Sequence, residues 1–193
     1  MLIGFYLVSC LLILKTMTIK SGTGATNIHL YSLSCVLTAF CISAYFYYVL
    51  NRHWQKVTVI IGCIINGAYY IFNNIIRETP GVFDSLAYVI MSSTIVTLIF
   101  MFMYQLLNEV KEEPLSLNFD FWFVSAQLFY FLGSFAIFLT YGYLTTQSLS
   151  NNVIRNQALT WLWGFHNVLL FLSALITTAS IVWISYRSKS RLS

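Results

Sequence analysis

The feature that most constrains this chain is the spacing of its charges, which divides it into six long apolar segments. Only 8% of the 193 residues are charged and 59% are hydrophobic, whereas soluble domains carry about 25% charged residues. A helix needs about 20 apolar residues to cross the hydrocarbon of a bilayer. The six segments cover residues 2–19, 30–50, 57–76, 85–107, 121–144 and 158–186. The sequence therefore predicts an all-α fold, a polytopic transmembrane helical bundle of about six spans with short loops, in a single domain over residues 1–193.

The first segment is the least regular of the six. Its apolar run ends at Lys15, so it reaches a spanning length only if it continues to Ile19 and Lys15 extends its ammonium toward the headgroups. A cleaved signal peptide is the alternative. Basic residues would then precede the apolar run, whereas Lys15 and Lys20 follow it. We therefore expect a retained helix.

Basic residues in the loops predict the orientation. With six spans, both chain ends lie on one side, and cytoplasmic loops are the richer in Lys and Arg. The side of the chain ends carries Arg52, Lys56, Lys111, Arg187, Lys189 and Arg191, and the other side carries Lys15, Lys20, Arg77 and Arg155. Six against four predicts a cytoplasmic C-terminus, although the two lysines that follow the first segment favour the opposite orientation.

The predicted spans lack ionisable residues in their interiors, apart from Lys15 near the end of the first. Proton relays, voltage sensors and ion-coupled carriers normally bury such residues, so we do not expect a pump. A retinal Schiff base is excluded because it needs a lysine at mid-depth. The sequence also has no phosphate loop, nucleophile elbow or paired intramembrane carboxylates. We predict that the protein is not an enzyme and, with a net charge of only +4, that it does not bind nucleic acid.

Neutral polar residues are therefore the candidates for recognition inside the bundle. In the third segment Asn66, Tyr70 and Asn73 share one helix face, and in the fifth Gln127, Tyr130 and Gly133 form a small and polar stripe. The candidate ligand-facing residues are Asn66, Tyr70, Asn73, Gln127, Tyr130, His166 and Asn167. Such faces either wall a ligand pocket or form interhelical hydrogen bonds of about 1 kcal/mol each. We expect the second more than the first.

His166, about two turns into the sixth segment, has three possible roles. A bis-histidine metal or haem site would need His29 as its second ligand, because His53 is predicted on the opposite side of the membrane. A pH-sensing role would need the imidazole to gain a proton in the physiological range. A hydrogen bond to a neighbouring helix is the simplest role and the one that we expect. The four cysteines form no CxxC pair, so no metal site and no cofactor are predicted.

Two stretches carry a resemblance to known proteins. FWFVSAQLFYFLGSFAIF at 121–138 and WGFHNVLLFLSALI at 163–176 resemble the last two helices of uncharacterised bacterial multi-spanning proteins, which are similar to the membrane halves of seven-helix sensor modules. The matching positions are Trp122, Tyr130, Gly133, His166 and Asn167. The resemblance implies a multi-pass protein of the bacterial inner membrane with a separate signalling partner. Six predicted segments stand here in place of seven.

Three functions are compatible with these features. The first is a receptor-like or sensory membrane module that acts through a separate signalling protein, because no loop is long enough to bury a core of its own. The second is a small transporter or lipid-handling protein, which would favour spans broken by Pro at mid-depth, whereas Pro80 and Pro114 lie between the predicted spans. The third is a structural subunit of a membrane complex. We expect the first, with membrane lipid around it.

Overall fold

Five α-helices make up most of the residues that the structure, a computed structural model, describes. These residues are 24–73, 83–108, 115–146 and 152–190, with side chains described over 32–73, 83–108, 115–146 and 156–187. The helices are α1 (Gly24–Val49), α2 (His53–Ile71), α3 (Ser85–Asn108), α4 (Phe119–Thr146) and α5 (Asn152–Ser190), and a short 3-10 helix (Leu115–Leu117) precedes α4. The predicted all-α class is confirmed for this part of the chain.

Four of the described helices are long and apolar enough to cross a membrane. The apolar stretches are Ser32–Val49 in α1, Ser85–Asn108, Phe119–Thr146 and Asn156–Arg187 in α5. They are the helices of a multi-pass membrane protein. The count of about six spans is not confirmed. The predicted first span, residues 2–19, lies outside the described residues, and α2, the predicted third span, is not among the four.

Side-chain caps set the beginnings of three helices. The Oε1 atom of Gln55 accepts a hydrogen bond from the backbone N–H of Arg52 at 3.1 Å, so α2 begins ahead of the predicted residue 57. Asp84 caps α3 by accepting from the N–H of Ala87 at 3.1 Å. Asn118 caps α4 by accepting from the N–H of Asp120 at 2.9 Å. These polar residues extend or fix helices where hydropathy gives no signal.

The chain divides into two compact units, Met1–Phe102 and Met103–Ser193, which we describe separately. In unit 1, α1 packs against α2 and against the unit's part of α3. Phe46 is fully buried and meets Phe102 edge to face at a centroid distance of 6.4 Å. The buried Cys35 thiol donates to the Sδ atom of Met91 at 3.6 Å. The single domain over residues 1–193 stays a prediction.

In unit 2, α4 and α5 pack side by side. Phe123, Phe131 and Phe138 of α4 are fully buried. Gly133 permits a close approach of the two helices, because a Cβ atom at this position would collide with the Cδ1 atom of Leu169 on α5. Small residues at helix contacts are typical of membrane proteins, where packing replaces the hydrophobic effect between helices.

Large apolar side chains cover the outer surfaces of both units. Ile64 in unit 1 is 61% exposed, and Phe171 and Val182 in unit 2 are 65% and 64% exposed. Exposed apolar area on this scale is unusual for a protein surrounded by water. It is the surface expected where acyl chains are the solvent.

Candidate functional site

The most polar buried position in unit 2 is the imidazole of His166, which is held between two hydroxyl groups of α4. The Nε2 atom lies 3.3 Å from the Oη atom of Tyr130, and the Nδ1 atom lies 3.2 Å from the Oγ atom of Ser134. Tyr130 and Ser134 are four residues apart and so lie one helical turn from each other on the same face. A neutral imidazole has one donor and one acceptor nitrogen, and a hydroxyl can serve either. Both nitrogens therefore have a suitable partner in either tautomer.

Aromatic rings surround this imidazole. Phe138 meets it edge to face at a centroid distance of 4.8 Å, Trp163 lies at 5.7 Å and Tyr130 lies at 5.4 Å. The imidazole is only 6% exposed. Hydrogen bonds in such apolar surroundings are electrostatically stronger than in water, and an unmade one is costly. His166 is thus fixed in position by both its polar and its apolar contacts.

A second polar contact joins the same two helices. The Nε2 atom of Gln127 donates to the Oγ atom of Ser173 at 3.4 Å, and both side chains are buried. Gln127 lies three residues before Tyr130, and Ser173 lies seven residues after His166, so the two contacts fall along one line of the helix interface. We define the α4–α5 polar seam as the set Gln127, Tyr130, Ser134, His166 and Ser173.

The structure brings together three of the predicted site residues, Gln127, Tyr130 and His166, in this seam. It places Asn167 elsewhere: the residue next to His166 is turned by about 100° around the helix, and its side chain is exposed. Sequence reasoning left Ser134 and Ser173 out of the predicted site. Their spacing from Tyr130 and His166 was a usable signal, since both lie at helical intervals from a predicted residue.

The predicted site residues of unit 1 lie along α2. The Nδ2 atom of Asn66 donates to the backbone oxygen of Gly62 at 2.9 Å and to the Oγ1 atom of Thr94 on α3 at 3.1 Å. Gly62 allows this approach, because a Cβ atom there would lie 2.5 Å from the Cγ2 atom of Thr94. Asn66 therefore sits at a close helix contact. Tyr70 is half-buried one turn further along α2.

Asn73 belongs to a separate cluster at the start of α3. Its Nδ2 atom donates to the Oδ2 atom of Asp84, while the hydroxyl of Tyr69 donates to Oδ1 at 3.0 Å. Because Oδ1 also accepts from the N–H of Ala87, this carboxylate caps α3 and joins it to α2. Sequence reasoning missed Asp84, which lies just before a predicted span and was treated as part of the preceding connection.

Comparison with known proteins does not add to this geometry. No protein-family model, curated protein or solved structure matches the chain. The resemblance to bacterial sensor-like proteins therefore stays a prediction. Among the described residues, no three His, Cys, Asp or Glu side chains lie close enough together to hold a metal ion. The metal-ligand and pH-sensing roles of His166 also stay predictions.

Proposed function

We propose that the protein is a receptor-like, sensory membrane module that acts through a separate partner, with the α4–α5 polar seam as the element that changes state. The observation that carries the proposal is the arrangement of His166 between the hydroxyls of Tyr130 and Ser134. Each of these groups can exchange donor and acceptor roles without moving its heavy atoms. A stimulus that offers a competing hydrogen bond can therefore open the seam at small cost.

The size of that cost suits a switch. Three interhelical contacts form the seam, and such contacts in membranes average about 0.6 kcal/mol each, which sums to about 2 kcal/mol. Two conformations separated by a few kcal/mol leave the minor one measurably populated, and a ligand with differential affinity then shifts the balance. The seam is in this range, because it is strong enough to define a resting state and weak enough to be displaced.

A separate partner is proposed because the connections are short. Only Leu50, Asn51 and Arg52 join α1 to α2, and no loop between predicted spans is long enough to bury a core of its own. A change of helix packing would therefore be passed on through contact with another protein.

The test compares two adjacent substitutions on α5 in cells from which the chromosomal copy has been removed. His166→Phe keeps an aromatic ring and removes both hydrogen bonds of the imidazole, whereas Asn167→Leu alters an exposed neighbour and serves as the matched control. We expect both variants to reach the membrane at wild-type levels. His166→Phe should change the transcript profile of the cell and Asn167→Leu should leave it at wild type.

Two results would refute the proposal. If both inserted variants give the wild-type profile, the seam has only a packing role, as a structural subunit of a larger complex would require. If repeated pull-downs from gently solubilised membranes recover the chain alone, it has no partner to receive a signal.

A further inference from the structure

Unit 1 carries an apolar groove between α1 and α2. Its volume is about 600 Å³, within the usual range for small-molecule sites. Phe40, Tyr47 and Ser43 contribute to the α1 wall, and the α2 wall includes Cys63 and Gly67. Both walls belong to helices of the same unit, so the groove depends on one helix pair only.

The length of the groove matches one leaflet of a bilayer. Its α2 wall runs from Val59 to Ile71, which corresponds to about 18 Å of helix at 1.5 Å per residue. The hydrocarbon core of a bilayer is about 30 Å thick, so one leaflet contributes about 15 Å. A single acyl chain lying along α2 would therefore fill the groove from the headgroup level to the middle of the membrane.

One end of the groove is positively charged. The Nζ atom of Lys56 lies 5.4 Å from the ring centroid of Tyr47, which lines the groove. Arg52 and Trp54 lie beside it at the start of α2 and are exposed. A tryptophan together with basic residues is typical of the interface between hydrocarbon and water. The groove thus opens toward the headgroups next to two cations.

The opposite charge is remote from this end. Asp84 is the only acidic residue among the described side chains of unit 1, and it is bound by Tyr69 and Asn73 near the other end of α2. Lys56 and Tyr69 are separated by about 20 Å along the helix. The charged end of the groove is therefore complementary to an anion.

Ser43 adds a polar group one helical turn deeper. It lines the groove, and within the described part of the chain its buried Oγ atom has no hydrogen-bond partner. Ser43 precedes Tyr47 by four residues, which places it about 6 Å further from the charged end. Rotation about its Cα–Cβ bond would turn the hydroxyl toward an acceptor in the groove, at the depth where an acyl ester carbonyl follows a phosphate.

We propose that this groove binds one ester-linked acyl chain of an anionic phospholipid, with its phosphate at Lys56 and Arg52 and its ester carbonyl at Ser43. The groove lies in unit 1, so this inference does not depend on the α4–α5 polar seam or on the proposed sensory function. Anionic lipids attract basic residues near a membrane surface, and the loss of one such residue should weaken binding about fivefold.

The first experiment measures lipid binding to the purified full-length chain in detergent by native mass spectrometry. Phosphatidylglycerol and phosphatidylcholine with identical chains are the probes. We expect the wild type to bind phosphatidylglycerol more tightly. Lys56→Gln should weaken phosphatidylglycerol binding about fivefold and leave phosphatidylcholine unchanged, while Lys189→Gln, an equal loss of charge in the other unit, should have no effect. Equal affinity of the wild type for both lipids, or equal losses in both variants, would overturn the proposal.

The second experiment tests the groove itself and the ester contact. Gly67→Leu should fill the groove and reduce binding of both lipids, and it should fold, because a Cβ atom at Gly67 meets Phe40 at an ordinary 3.6 Å. Gly164→Leu, at a position open to 4 Å, is the control, and thermal melting of both variants confirms their folding. Ser43→Ala should weaken ester-linked phosphatidylglycerol and spare the ether-linked lipid. If a folded Gly67→Leu binds normally, or if palmitate competes as well as phosphatidylglycerol, a phospholipid is not the occupant.

Discussion

Replacing Gly133 by leucine tests the contact on which the α4–α5 polar seam depends. A Cβ atom at Gly133 would collide with the Cδ1 atom of Leu169 and lie 3.6 Å from its Cγ atom, and a leucine adds three more carbons beyond that point. Overpacking of this kind costs about 1 to 3 kcal/mol. Replacing glycine inside a helix also stabilises the helix by nearly 1 kcal/mol, so the wild type alone is an incomplete reference.

Gly164 provides the matched control. It lies in α5, has no heavy atom of another residue near its Cβ position, and would gain the same helix propensity without a collision. The difference in unfolding free energy between Gly133→Leu and Gly164→Leu therefore isolates the helix contact. For a chain of this size each kcal/mol shifts the melting temperature by about 2 to 4 °C, so Gly133→Leu should melt about 2 to 12 °C below Gly164→Leu.

The assay is thermal unfolding in one mild detergent, followed by far-ultraviolet circular dichroism, with both variants at the same concentration. Equal melting temperatures would refute the reasoning, since α4 and α5 would then not meet at Gly133. The position of the seam would be refuted with it, because Tyr130 and Ser134 flank this glycine on the same helix.

Three further predictions follow from single contacts. Asp84→Ala should lower the unfolding free energy by about 1 to 2 kcal/mol in a thermal melt, because α3 loses its N-cap, and Asp84→Asn should recover most of that loss; equal destabilisation by both would contradict the capping role. A double-mutant cycle of Ser134→Ala with His166→Phe should give a coupling energy of about 0.6 kcal/mol, and a coupling of zero would show that these side chains do not bond. Leu172→Arg, near the centre of the apolar part of α5, should cost about 2.5 to 3.5 kcal/mol in a translocon insertion assay, and unaltered insertion would show that the span is misplaced.

The helices could be predicted because their signal is local. A run of about 20 apolar residues bounded by charges has few alternatives to a helix once it is in a bilayer, and the predicted segment 85–107 differs from α3 by a single residue at its C-terminal end. α5 begins and ends beyond the predicted 158–186, because helical hydrogen bonding continues through polar residues that hydropathy excludes.

The site could be predicted only in part, because lipid removes the usual signal for the buried face. A helix in water is apolar on the side that packs, whereas a helix in a bilayer is apolar all round. Gln127 and His166 stood out because polar groups in spans seek partners. Ser134 and Thr94 are common small residues, and only their neighbours on another helix give them a role. Asn167 is as polar as any of them and is exposed.

The position of Asn66 has a consequence for biosynthesis. α2 is less apolar than its neighbours and is joined to α1 by three residues, so the ribosome delivers the two as a hairpin before α3 exists. During that interval the amide of Asn66 has the Gly62 carbonyl of its own helix, and the Thr94 hydroxyl is added only when α3 emerges. The nascent hairpin is thus completed by the segment that is translated next.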